Sequence, residues 1–374
     1  MAGASSALLS VCTVFLYPRR CAYLCRKETS DMESIFLTSL SGRVYFTSAM
    51  PNVYGAGSAG KATKVTIFID SVTYFEEALW SVDGNVWLRD LGEFLSPYLK
   101  SRLVSSVIIT MGTTSAIFTA IYAKVDVGIS ADDFYNGYFL STLLGTKITA
   151  KGRRELLWYY GSDSATVTAE FADGTTAAVA ATVVGGSGKY TCLDASPDLF
   201  DVGSSALVAY TVRAGNRSQR FEIDPTQPDC APILEFYNSF GVWEYIYCTG
   251  THQVSPEYKR SSARIGGRLR NYKIEETRTF KADTGIMNTA MANWADELFR
   301  SEEVYVVNVI DGSVTSSDGG KEVVITESKS DYSNDDDHMP RFTFSYQYAQ
   351  RIQNVLQMNR VGRIFDNTFD HTFN

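Results

Sequence analysis

Gly55, Gly57 and Gly60, followed by Lys61, have the spacing of a dinucleotide-binding glycine loop and most of that of a phosphate-binding loop. Both loops hold phosphate on the backbone amides that open a helix, and the second also needs Ser or Thr after the lysine to hold magnesium. Here that residue is Ala62, and Lys64–Asp70 beyond it alternates apolar and polar side chains as a strand does. The stretch therefore reads as a hairpin loop. Acid–base chemistry has little to work with: the three histidines, His252, His338 and His371, lie in no recognisable nucleophile context. Neither the Gly-x-Ser-x-Gly elbow nor His-Glu-x-x-His occurs. Asp331–His338 is dense in oxygen ligands but lacks the spacing, the central glycine and the closing glutamate of an EF-hand, so it reads as a solvated loop. Cys12, Cys21, Cys25, Cys192, Cys230 and Cys248 contain no C-x-x-C pair and no histidines at metal spacing. They read as scattered buried thiols in a reducing compartment, with neither structural zinc nor a disulfide framework. No residue is assigned to catalysis, cofactor binding or metal binding, and the chain is read as non-enzymatic.

The features that remain concern contact. Lys259, Arg260, Arg264, Arg268, Arg270, Lys273, Arg278 and Lys281 face only Glu275 and Glu276 along one stretch. Two antiparallel strands carrying these charges form a solvent face or a contact with an acidic neighbouring subunit; a nucleic-acid groove is the weaker reading in so acidic a chain. Met287, Ala290, Met291, Trp294, Leu298 and Phe299 fall on one helical stripe, with Thr284 as the candidate cap and Arg300 at the end. The stripe is most simply a core face packed on the C-terminal sheet, and its face is also a candidate docking surface. Phe365, Phe369 and Phe373 recur every fourth residue in a polar terminus, where exposed aromatics are costly, so the tail either folds back or docks on a partner. Met287, Met291, Trp294, Phe365, Phe369 and Phe373 are thus the candidate interaction residues. For a binding module, Trp80, Trp87, Trp158 or Trp243 could stack on sugars.

These residues need strands to position them. Tyr and Phe number 22 and 21, many alternating with Thr, Ser and Val, as pleated surfaces favour. Strands are predicted at Arg43–Ser48, Lys64–Asp70, Val72–Val82, Asn85–Leu88, Val107–Thr110 and Ala116–Val127, with Asp83-Gly84 as a hairpin turn. Leu91, Phe94, Leu95, Tyr98 and Leu99 form one helical face broken by Pro97, and a second short helix starts at Ser130. Further strands are predicted at Glu155–Tyr160, Ala165–Phe171, Thr175–Val184, Leu207–Arg213 and Gln219–Ile223, with Gly185–Gly188 as a flexible loop. The last group is Ile233–Asn238, Trp243–Thr249, Ser262–Arg270, Tyr272–Arg278, Val304–Val309, Glu322–Thr326 and a final strand through Phe342, Phe344, Tyr346 and Tyr348.

The predicted fold is mainly β: two or three sandwich-like modules with one or two short helices packed on the sheets. With 374 residues, several domains are expected. The partition runs as a non-structural extension (1–31), a β-rich module with a short helix (32–150), a small sandwich (151–228), a β-rich module with a helix at 286–300 (229–350) and a docking tail (351–374). In the extension an apolar run, Ser6–Tyr17, precedes Arg19–Arg20; this reverses the order of a secretory signal and is too short to span a bilayer, so Met32 is an alternative start. The net charge of −8 gives no global drive toward nucleic acid or anionic membrane.

Four stretches carry a resemblance: Phe236–Tyr245, Arg270–Glu276, Trp294–Phe299 and Arg363–Phe369. Together they resemble structural proteins in prophage and phage-like clusters of gut Bacteroidota, similar in architecture to distal-tail-like tail or baseplate components. The likeness covers 230–374 best and Glu33–Thr110 more loosely. It implies a virion subunit, present in the bacterial cytoplasm during assembly, whose partners are copies of itself and other tail or baseplate proteins. It implies no catalytic residues, cofactor or small-molecule substrate. The alternative function is a monomeric β-sandwich module that binds glycan or protein ligands.

Overall fold

The computed structural model describes residues 34–310, 313–314, 320–329 and 339–349. The protein is mainly β, built from several sheets with three α-helices among the described residues. It divides into two compact units, one ending at Tyr122 and the other beginning at Ala123.

The first unit contains strands β1 (Ser34–Phe36), β2 (Val44–Phe46), β3 (Asn52–Ala56), β4 (Ala62–Ile69), β5 (Val72–Trp80), β6 (Asn85–Leu88), β7 (Val104–Met111) and β8 (Thr114–Ile121), with helix α1 (Leu91–Leu99) before β7. One sheet runs β1-β3-β6 and the other β2-β8-β7-β4-β5. The Asp83-Gly84 turn forms, closed by the Val82↔Asn85 bridge, but no hairpin of two long strands follows. β5 instead pairs with β4, and β6 crosses to pair with β3. The sheets pack closely at Gly55, where a Cβ would come 2.7 Å from the Met111 sulfur. That contact, with the strand after Gly60, accounts for the glycine-rich stretch as packing and a turn. Leu91, Leu95 and Leu99, at i, i+4 and i+8, bury one face of α1, and Phe94 and Tyr98 meet Phe75 and Tyr74 of β5.

The second unit opens with α2 (Ala131–Gly137), capped by the Ser130 hydroxyl, which accepts from the Asp133 N–H at 3.1 Å. Next come β9 (Lys147–Thr149), β10 (Leu156–Tyr160), β11 (Ala165–Phe171), β12 (Thr176–Ala180), β13 (Thr182–Gly186), β14 (Tyr190–Asp194), β15 (Leu207–Ala214) and β16 (Arg217–Ile223). A five-stranded sheet, β12-β11-β15-β16-β9, and a three-stranded sheet, β10-β14-β13, share a core of Leu157, Val167, Leu193, Tyr210, Val212 and Phe221. β9 pairs in parallel with β16, so residues 147–149 belong to this sheet, in the unit that begins at Ala123. The predicted Thr175–Val184 strand splits in two and changes sheets, and Gly185 and Gly186 sit inside the β13–β14 pairing instead of a free loop.

The remainder forms one antiparallel seven-stranded sheet, ordered β18-β17-β21-β24-β25-β20-β19. Its members are β17 (Ile233–Tyr237), β18 (Trp243–Tyr247), β19 (His252–Ile265), β20 (Arg268–Asp283), β21 (Val304–Val307), β24 (Lys321–Lys329) and β25 (Thr343–Tyr348). A two-stranded ladder, β22 (Val309–Ile310) with β23 (Ser313–Val314), lies between β21 and β24 in sequence. Helix α3 (Thr289–Arg300) packs on the sheet through a core that includes Phe236, Phe280, Trp294, Leu298, Phe342 and Phe344. Asn288, not Thr284, caps α3: its side-chain oxygen accepts from the Met291 N–H at 2.8 Å. Thr284 is occupied elsewhere, its hydroxyl accepting from the Phe342 N–H at 3.0 Å.

Candidate interaction surface

The α3 stripe is turned inward, as its core-face reading expects and its docking reading does not. Trp294 is fully buried, and Met287 is buried just before the helix begins. Met291 is partly buried, and its sulfur accepts the Ile148 N–H at 3.2 Å. These three side chains fill the protein's own core, so in this fold they are not a surface for a partner; the apolar stripe found the sheet beneath it. Phe365, Phe369 and Phe373 lie outside the described residues, as does Asp331–His338.

Around Trp294 the fold does gather chemistry-bearing groups. The indole N–H donates to Glu244 Oε2 at 3.0 Å, and the Asn238 amide donates to the same oxygen at 2.9 Å. Glu297 accepts the Ser239 N–H at 2.9 Å, and burial, then the charge of Glu244, pushes its carboxyl up to about 7. Lys147 sits 4.3 Å from the centre of the Trp294 ring and 2.6 Å from Glu155, an ion pair also sealed from water. Carboxylates and an amine in such an arrangement have the elements of acid–base chemistry. Both glutamates are only 6% exposed, however, and the groups that hold them belong to the chain itself. The cluster joins the α3 core to β9 and β18. Among the described residues no group of three or more His, Cys, Asp or Glu is placed to hold a metal ion. Cys192, Cys230 and Cys248 are free, and burial raises each thiol, that of Cys192 to about 12.

The exposed counterpart is the β19–β20 hairpin. Two separate short strands were expected here, Ser262–Arg270 and Tyr272–Arg278. They are instead one hairpin whose paired strands run 14 and 16 residues and turn at Gly266-Gly267. Both glycines have positive φ, +60° and +78°, the conformation a two-residue hairpin turn demands. That dipeptide was the legible signal, and the run of charges on either side obscured it.

Only the base of the hairpin joins the body. β20 pairs with β25 over Phe280–Asp283, and Val254 and Phe280 pack into the core. Outward from Pro256 and Arg278 the two strands pair with each other alone among the described residues, over roughly 30 Å at a strand's rise per residue. β19 is the edge of its sheet along its whole length, and it carries Pro256, a residue that sheets admit at their edges. The arm is not uniformly polar. Leu269 is 72% exposed and Tyr272 66%, while Tyr258, Ile265 and Ile274 are also exposed. On the face that carries Val254 and Phe280 into the core, the arm presents Tyr258 and Arg260 opposite Glu276 and Ile274. The Arg260 guanidinium lies 5.2 Å from the centre of the Tyr258 ring. Arg278 pairs with Glu276, and that bond raises the guanidinium further above its ordinary range.

Charge separates the arm from the rest of the chain. Residues 256–278 carry seven Arg and Lys against three Glu, a net of +4, so the remainder of a chain of net −8 carries −12. Arginine and tyrosine on a ribbon whose outer edge pairs with no other strand among the described residues are the composition and geometry of a contact element.

No protein-family model matches the chain, and no curated protein matches it either. Among solved structures, the titin I9-I11 tandem aligns with 87% of this chain and 90% of its own at 9% identity, with a TM-score of 0.17. A second titin Ig tandem aligns with 49% of this chain and 92% of its own at 12% identity, with a TM-score of 0.19. No helix among the described residues is long and apolar enough to cross a membrane.

Proposed function

We propose that this protein is a non-enzymatic structural subunit of a phage or prophage tail or baseplate, working by assembly with copies of itself and with other tail or baseplate proteins. The observation that carries the assembly reading is the β19–β20 arm: paired strands with an open edge, exposed Leu269 and Tyr272, and a charge opposite to that of the remaining chain. A ribbon of this kind gains little for its own unit by being so long, because its outer half packs on no core among the described residues. It gains when a partner covers its edge and apolar side chains. The tail or baseplate assignment rests on the resemblance of Phe236–Tyr245, Arg270–Glu276, Trp294–Phe299 and Arg363–Phe369, and it implies the virion or, during assembly, the bacterial cytoplasm as the location. Sedimentation of the full chain across a concentration series, with negative-stain images, tests assembly. Rings or defined higher oligomers support it, and a monomer at every concentration counts against self-assembly.

One observation favours the second reading, a monomeric module that binds glycan or protein. Trp80, at the end of β5, is 68% exposed and presents a flat apolar ring to solvent. Trp243, by contrast, is partly buried and meets Tyr237 and Tyr305 edge-on, and the Trp158 indole N–H donates to the Trp243 carbonyl. Glycan-array binding that Trp80→Ala abolishes, by a chain that stays monomeric, would favour the module.

A further inference from the structure

We infer that the outer edge of β19 adds, strand to strand, to β5 of a second copy of this chain, giving a head-to-tail contact. The inference rests on the assembly reading and names the surface that receives the arm.

The receiving surface must itself be an open strand edge, exposed, long enough to match the arm and of opposite charge. β5 meets each requirement. It ends its five-stranded sheet and, among the described residues, pairs only with β4. It spans nine residues, against the ten of β19 from Pro256 to Ile265. Its Val72, Glu76, Glu77 and Trp80 are exposed, and its two charged residues are both acidic. Lys64 on β4 already contacts Glu76 at 2.7 Å, but that pair is open to solvent and yields readily to competing guanidinium groups. Other exposed edges fit less well. β12 and β13 are five residues each and carry no charge, and the Glu244 side chain of edge strand β18 is buried.

Joining the edges would satisfy backbone N–H and C=O groups along both strands and bring Lys259, Arg260 and Arg264 against Glu76 and Glu77. Exposed Val72 and Trp80 on β5, with Tyr258 and Ile265 on β19, supply the apolar part of the contact. Because the two edges belong to different surfaces, the contact is heterologous. Repeated, it builds a ring where its rotation closes and a filament where it does not.

Two charge-reversed full-length chains test this: R260E/R264E on the arm and E76K/E77K on β5, each checked for native circular dichroism and melting. Sedimentation at low salt should show each chain alone associating at least about tenfold more weakly than the wild type. An equimolar mixture should regain association beyond a dimer, because the intact arm of one chain meets the intact edge of the other and the reversed arm meets the reversed edge. A chain carrying all four reversals should recover association. E76Q/E77Q, a milder pair, should weaken association by a smaller factor, and it replaces E76K/E77K if that chain does not fold. If the wild type assembles and the β5 variants assemble equally well, the receiving edge is wrong while the assembly reading stands. If the wild type is monomeric throughout, both fall.

Discussion

The inner and outer ends of the β19–β20 hairpin share two continuous strands but differ in what surrounds them. At the inner end Phe280 stacks on Tyr346 with centroids 4.9 Å apart, and Asp283, itself buried, is met by Arg341. At the outer end Arg264 opposes Leu269, and Ile265 opposes Arg268 beside the turn, with all four exposed. Backbone pairing is alike in both. The inner end therefore holds its place through buried side chains, while the outer end holds only its own ladder and keeps its side chains available. Paired backbone alone does not make a core.

The largest effect is expected on the core side of that contrast. Trp294→Ala removes a fully buried indole and leaves Glu244 short of a donor, so unfolding by denaturant should show a loss of about 3–5 kcal/mol. A loss under about 1 kcal/mol would mean that the α3 core is not what anchors the sheet.

The buried carboxyl of Glu297 gives a pH signature to the same region. Its folded value, raised to about 7, lies above the ordinary carboxylate range near 4.5. Between those values the folded chain keeps a proton that the unfolded chain releases, so stability is greatest at the acid end of the window and falls as pH rises through it. Glu297→Gln should flatten that decline, read as urea midpoints at pH 5 and pH 7.5. An unchanged slope would assign the dependence to another group.

Gly267→Val sharpens the contrast from the other side. A β-branched residue at φ +78° is strained by about 1–2 kcal/mol, and here the strain falls at the tip. Amide protection should drop across residues 256–278, while the melting of the body stays where it was. A lower melting point for the whole unit would show that tip and core are coupled.

The smallest effect on stability should come from Leu269→Ser with Tyr272→Ser. Both side chains are exposed and touch no core, so unfolding should change by no more than about 0.5 kcal/mol while self-association weakens. Equal association would remove these two residues from the contact.

Much of the fold was legible in local pattern. The alternation in Ala165–Phe171 and in Phe342–Tyr348, the i, i+4, i+8 leucines of α1 and the Ser130 cap each depend on a few adjacent residues, and each appears in the structure as read. Where competing partners decide, the reading missed. Thr284 looked like a cap, but its hydroxyl is taken by the Phe342 N–H, 58 residues away, and Asn288 caps instead. The α3 stripe was visible, yet an apolar face reads the same whether its own sheet or another protein will cover it.

By itself the sequence determined a mainly β chain, the positions of most strands, the helical faces of α1 and α3 and a basic stretch in an acidic protein, because side-chain alternation and charge are local properties. Only the tertiary structure decided which strands share a sheet, that Met287 and Trp294 face inward, and that the basic stretch stands out from the body as one hairpin. Strand partners are chosen by contacts between residues far apart in the chain, and burial depends on every element that arrives nearby. Neither quantity is written in any short run of residues.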